Sequence, residues 1–219
     1  MAEGSARPRA LLFDWDNTLA DNWSAIGEAL NATLVAMGKA PWSADEVRAR
    51  VRVSLRESFP AMFGARWLEA RHVFYRRFHD LHLAHLKALP GAAAALARLS
   101  GAGFYLGVVS NKRGDLLRRE AAHLGWGGYF STLVGAGDAV RDKPAREPVD
   151  MALAPSEIRA GREVWFVGDA GIDMACARAA GCVAVLIGSG PEREEFRDHP
   201  PEHHAPDFSA LLDLVARAR

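Results

Sequence analysis

An α/β fold built on a parallel sheet, interrupted once by an all-helical insertion, is what the sequence predicts. Three observations predict it. Apolar runs of strand length alternate with helical patterns along most of the chain. Glycines stand where those helices should stop. One stretch, residues 22–89, carries helical pattern and no strand pattern. Parallel strands need crossover connections, and regular β–α alternation supplies them, so a Rossmann-like, doubly wound sheet follows.

The first run, Ala10-Leu11-Leu12-Phe13, predicts a strand near 9–14 and closes on Asp14-Trp15-Asp16-Asn17-Thr18. The insertion comes next. Pro41 precedes Ser43-Ala44-Asp45-Glu46, a helix-starting capping box. Val47, Val51, Leu55 and Phe59 then recur every four residues, which predicts one helix with an apolar face. Arg48, Arg52 and Arg56 share that spacing and would line another side of the same helix. Val73, Phe74, Phe78, Leu81 and His85 predict a later amphipathic helix, and Pro90-Gly91 ends the region. The expected division is a core of residues 1–21 and 90–219 and a small helical lid of residues 22–89.

Beyond the insertion, helices are expected near 91–100, 113–124, 145–154 and 171–180. Strands are expected near 104–110, 131–135, 163–167 and 182–187. Gly101, Gly103, Gly125, Gly161 and Gly181 sit at the helix ends, where a left-handed residue stops a helix. His199, His203 and His204 read as part of a Pro-rich surface loop. His79, His82 and His85 read as residues of a partly exposed insertion helix.

Composition narrows the function. Hydrophobic residues make up 49% of 219, enough for a substantial core, and the formal net charge is zero. Such a chain has no global field to attract nucleic acid or an anionic membrane, and six tryptophans without an interleaved basic stripe read as packing. No apolar run approaches a membrane span, and Met1 to Arg9 are polar and small. The expectation is a cytoplasmic protein, monomeric or weakly dimeric, with Cys176 and Cys182 reduced and buried. Only four lysines stand against 23 arginines, so a lysine inside a motif carries extra information.

The chemistry gathers at strand ends. Asp14 and Asp16 follow the first strand. Asp169 and Asp173 follow Val164-Trp165-Phe166-Val167-Gly168. Carboxylates collected at the carboxyl ends of parallel strands repel one another unless a cation joins them, and open α/β sheets bind ligands there. The pattern points to a hard divalent cation. Thr18 has a hydroxyl that could hold a carboxylate, and Asn17 tolerates the left-handed turn that Gly otherwise supplies. Ser110 ends the second strand, and Asn111 follows it. A hydroxyl and fresh backbone N–H groups at a helix start would suit a phosphate oxygen.

In order and spacing these residues resemble the haloacid dehalogenase superfamily over nearly the whole chain. Asp14-x-Asp16-x-Thr18 resembles its first motif, Ser110 its second, Lys143-Pro144 its third and Gly168-Asp169-x-x-x-Asp173 its fourth. Asp173-Met174-x-x-Ala177-x-x-Ala180-Gly181 extends the last as the phosphoglycolate-phosphatase-like branch does, and the insertion resembles that branch's C1-type cap. Trp15, where Leu or Met is usual, and Asn17, where Gly is usual, depart from the pattern.

The resemblance implies a Mg²⁺-dependent phosphatase acting on a small phosphorylated metabolite. Asp14 would be the nucleophile and Asp16 the general acid and base. Mg²⁺ would be held by Asp14, the Asp16 carbonyl and Asp169, with Asp173 ordering its waters. Lys143, Ser110, Asn111 and Thr18 would serve the phosphoryl group, and the cap would close to read the leaving group. Asp16 sets aside the halide-removing members, and the absence of a lysine near Leu55 sets aside the phosphonate-cleaving ones. A sugar phosphomutase and a catalytically silent metal-binding module remain as alternatives. Arg52 and Arg56 would match a carboxylate or second phosphate on the leaving group.

Overall fold

The computed structural model describes residues 7–51, 55–188 and 190–218. The chain enters through β1 (Ala10–Phe13) and leaves through β2 (Ala20–Asp21) into α1 (Trp23–Ala36), α2 (Ala44–Arg50), α3 (Leu55–Phe63) and α4 (Trp67–His85). It returns through β3 (Lys87–Ala88). Then follow α5 (Ala92–Gly101), β4 (Tyr105–Arg113), α6 (Gly114–His123), β5 (Thr132–Ala136) and α7 (Glu147–Leu153). The last elements are β6 (Val164–Gly168), α8 (Gly171–Ala180), β7 (Val183–Ile187), β8 (His203–Ala205) and α9 (Phe208–Arg217). β2 pairs with β3 where the chain passes between two compact units, Met1–Ala20 with Ala88–Arg219, and Asp21–Lys87.

The larger unit is a six-stranded parallel sheet in the order β5-β4-β1-β6-β7-β8. Strands buried on both faces read as continuous apolar runs, and β1, β6 and β7 are buried at every residue. The predicted parallel α/β core is therefore the observed one. Cys176 and Cys182 are free and buried, as expected.

Three readings of this unit change. β4 runs to Arg113, past the expected end at residue 110, so Ser110 is a strand residue and not a helix N-cap. The ladder shifts between Val109 and Arg113, where β4 carries more residues than β5 opposite it. Gly135 permits the bulge: a Cβ there would lie 2.5 Å from the Lys112 carbonyl oxygen and from the Gly114 Cα. His203 and His204 belong to the edge strand β8, and His203 lies over Trp165 with ring centroids 5.2 Å apart. α9 was not expected; Asp207 caps it by accepting from Ala210 N–H at 2.8 Å, and Phe208, Leu211 and Val215 bury its apolar face.

In the smaller unit the capping box is present. Ser43 Oγ accepts from Glu46 N–H at 3.2 Å, and Ser43 N–H donates to Glu46 Oε2 at 2.9 Å. The single helix expected through Phe59 is not. α2 ends at Arg50, and Val51 leaves helical geometry at φ −87°, ψ 88°. Alternating Arg and Val after Ala49 weakens helix propensity, since β-branched residues lose side-chain freedom in a helix. The arginine row is broken accordingly. Arg48 pairs with Asp45 at 3.7 Å, Arg52 lies outside the described residues, and Arg56 is exposed on α3. α4 buries Ala70, Phe74, Phe78 and His82, a strict four-residue row, in place of the expected Leu81 and His85. Phe74 stacks on Phe78 at 5.5 Å, and Phe59 meets Phe74 edge-on at 5.8 Å. Among the described residues no helix is long and apolar enough to cross a membrane.

Candidate active site

β1, β4 and β6 are neighbours in the sheet, and their carboxyl ends deliver the candidate residues to one place. Asp14 follows β1 directly, and its N–H continues the ladder by donating to Val167 carbonyl at 2.9 Å. The chain then turns tightly. Leu19 and Ala20 N–H both reach the Trp15 carbonyl, at 2.9 and 3.1 Å, and Asn17 takes φ 62°. Asn accepts that left-handed conformation more readily than most residues with a Cβ. The Asn17 side chain also donates to Asp169 Oδ2 at 2.5 Å, so the departure from Gly adds a bond that Gly lacks.

Two buried lysines divide the acids between them. Lys143, 2% exposed, reaches Asp14 Oδ1 at 2.6 Å and Asp173 Oδ1 at 2.7 Å. Lys112, 8% exposed, reaches Asp16 Oδ1 at 2.7 Å and Glu120 at 2.8 and 3.0 Å. Glu120 Oε2 also accepts from the Trp15 indole at 2.7 Å. The two aspartates of the first motif thus sit two residues apart in different electrostatic settings.

Asp173, third residue of α8, accepts from Ala170 N–H at 3.1 Å, so both of its oxygens are held. Thr18 donates to Asp169 Oδ1 at 3.2 Å and so orients a carboxylate, as its hydroxyl suggested, whereas the resemblance also placed it with the phosphoryl group. Asn111 clasps the backbone of Lys143 from both sides: its Nδ2 donates to the Lys143 carbonyl at 3.2 Å, and its Oδ1 accepts from the Lys143 N–H at 3.0 Å. Its side chain therefore steadies Lys143. Ser110, 5% exposed, accepts from Lys112 N–H at 3.2 Å and keeps its hydroxyl proton for donation. The Lys143–Pro144 peptide is cis.

Asp14, Asp169 and Asp173 each bring one oxygen within 4.8 Å of the others. The Asp16 carboxylate is not in that group; it turns to Lys112. Counting Asp16 and Glu120, five carboxylates face two lysines across this end of the sheet. Burial pushes Asp16 up to about 7, with Lys112 opposing and Glu120 and Asp14 adding to the rise. Burial and then the Asp14 charge push Asp169 up to about 6. Asp173 rises to about 7 through burial, against the pull of Lys143. Burial alone would lower Lys143, but Asp14 and Asp173 outweigh it and hold its ammonium well above the ordinary range. An all-oxygen donor set with this excess of negative charge fits a hard divalent cation.

Lys112, Glu120 and Arg193 were missed as site residues. Lys112 had a signal, being one of four lysines and two residues past Ser110. Glu120 had another: it lies on the buried face of α6 with Leu116, Leu117 and Ala121, where an acid needs a partner. Arg193 donates to the Asp169 carbonyl and pairs with Glu195 at 3.0 Å, and Glu195 accepts from Gly171 N–H at 2.9 Å. These bonds brace the turn that carries Asp169.

Comparison with known proteins identifies the family. The family model of haloacid dehalogenase-like hydrolases matches residues 11–187. A phosphoglycolate phosphatase of Chromobacterium violaceum is 30% identical over 192 residues, covering 83% of this chain and 86% of that protein. A 5'-nucleotidase of Pseudomonas aeruginosa is 28% identical over 220 residues, covering 98% of this chain and 99% of its own. The solved structure of a haloacid dehalogenase-like family hydrolase from Streptococcus pneumoniae, at 21% identity, superposes with a TM-score of 0.83 over 94% of this chain and 98% of that one.

Proposed function

The chain belongs to the haloacid dehalogenase-like hydrolase family, and we propose that it hydrolyses a small phosphate monoester through a phosphoryl group carried on Asp14. It is an enzyme of the phosphatase kind; the route, the metal and the substrate are the parts proposed. The observation that carries the reading is the separation of the two aspartates, Asp14 on Lys143 beside Asp169 and Asp173, and Asp16 apart on Lys112.

Asp14 attacks phosphorus with a carboxylate oxygen, and the bond from phosphorus to the ester oxygen breaks. Asp16 gives its proton to the departing oxygen. Asp16 then takes a proton from water, whose oxygen attacks the same phosphorus, and the bond to Asp14 breaks to release inorganic phosphate. Lys143 holds Asp14 in one orientation throughout, which keeps the attacking atom in line. Ser110 donates its hydroxyl proton to a phosphoryl oxygen. Asp14, the Asp16 carbonyl and Asp169 would hold Mg²⁺, with Asp173 steadying the site through Lys143 and the Ala170 N–H. When bound, the ion supplies positive charge to the phosphoryl oxygens.

The unit Asp21–Lys87 is proposed as the cap that reads the leaving group. Relatives named phosphoglycolate phosphatase favour a small anionic ester, and the relative named 5'-nucleotidase makes a nucleoside monophosphate the competing substrate class. A panel of both, with p-nitrophenyl phosphate, separates them. A phosphomutase would return the phosphoryl group to its sugar, whereas this reading requires free phosphate.

Rapid quenching during turnover, followed by mass spectrometry, should find a phosphoryl adduct on Asp14. Asp14→Asn should lose the adduct and at least about a thousandfold in kcat, with the fold retained. Excess chelator should abolish turnover, and Mg²⁺ should restore it. An adduct on another residue would sink the assignment of Asp14, and full turnover in chelator would remove the metal.

A further inference from the structure

We propose that Lys112, locked by Glu120 and Trp15, is a positioning residue for Asp16 and governs how well the enzyme expels a strongly basic leaving group. The inference rests on the reading of Asp16 as the proton donor.

The starting point is Trp15, a departure from the family pattern. Its side chain is fully buried, and a buried indole N–H needs an acceptor. Glu120 Oε2 provides one at 2.7 Å. Glu120 is itself completely out of solvent, so its charge needs a cation. Lys112 supplies it at 2.8 and 3.0 Å and extends the same ammonium to Asp16 Oδ1 at 2.7 Å. The series of contacts runs from Trp15 through Glu120 and Lys112 to Asp16, so it begins and ends on adjacent residues of one turn. Rotation of the Asp16 carboxylate would break the contact with an ammonium whose other partner cannot follow.

The consequence lies in which oxygen is held. Lys112 engages Oδ1. The other oxygen, Oδ2, has no hydrogen-bond partner among the described residues, and the side chain keeps a quarter of its surface open, at 25%. One oxygen is therefore anchored and the other presented. A fixed donor matters most when the departing oxygen is a poor leaving group. An alkoxide must receive a proton as its bond to phosphorus breaks; p-nitrophenolate leaves without one. Displacing Asp16 should therefore slow alkyl esters selectively.

The test compares kcat/KM, which covers steps through departure of the leaving group, for an alkyl and an aryl ester. Phosphoglycolate serves as the alkyl ester, or whichever alkyl phosphate the enzyme hydrolyses fastest, and p-nitrophenyl phosphate as the aryl ester. Lys112→Met should lower the alkyl value at least about tenfold further than the aryl value. That variant strands the Glu120 charge, so Lys112→Met with Glu120→Gln is made beside it. The double variant should recover its unfolding temperature and keep the selective loss. A purely structural role predicts that activity toward both esters returns with stability, and that result overturns the proposal, as does equal loss on both esters. Asp16→Asn is the reference. If it shows the selective loss and the Lys112 variants do not, only the role of Lys112 falls. If Asp16→Asn shows none, the assignment of Asp16 as proton donor falls and this inference with it.

Discussion

Gly168 lacks a side chain because Asp173 fills the space one would need. A Cβ built there would lie 2.4 Å from the Asp173 side chain, which cannot step aside while Lys143 and the Ala170 N–H hold its two oxygens. The Gly in Gly-Asp-x-x-x-Asp is thus tied to the second Asp by contact and not only by chain geometry. Gly168→Ala should cost about 1–3 kcal/mol of stability and lower kcat more than tenfold, as overpacking shifts Asp173 and its lysine. Thermal unfolding and steady-state kinetics check both, and an unchanged kcat would refute the link. The four acids and Ser110 were legible as site candidates because they stand at fixed places after apolar runs, whereas Lys143, in a polar stretch before Pro144, was legible only through the family resemblance. For Glu120 the buried face of α6 signals only that some partner is needed; that the partner is Trp15, 105 residues away in sequence, is not legible there.

Among elements, the strands of the core were legible because a buried parallel strand is an unbroken apolar run. β4 hid its last residues because Ser-Asn-Lys-Arg is polar, and only Gly135 on the facing strand shows that the bulge fits. β8 and α9 were overlooked because three histidines and several prolines masked a three-residue edge strand. In the smaller unit, four-residue periodicity alone suggested one helix where there are two, α2 and α3. Periodicity reports which residues would share a face if the helix continued, and says nothing of whether it does. Arg56 therefore stands as a candidate on α3 alone. If it reads an anionic leaving group, Arg56→Ala should raise KM for phosphoglycolate by about tenfold and leave p-nitrophenyl phosphate almost unaffected. Equal effects on the two esters, or none, would take Arg56 out of specificity.

At the scale of the whole molecule, the fold class could be read from alternation and glycine placement. The sheet order could not, because sequence order does not say which edge each new strand joins. That order puts β1 between β4 and β6, with every one of its four residues fully out of solvent. Backbone amides so placed can trade their hydrogens for deuterium only when the neighbouring strands also part. The amides of Ala10–Phe13 and Val164–Val167 should accordingly be among the last to exchange, on the time scale of global unfolding. Rapid exchange there would contradict this. The residue proposed to carry the phosphoryl group, Asp14, is then mounted on the part of the protein expected to open last, and heating should extinguish catalysis only as the sheet itself comes apart.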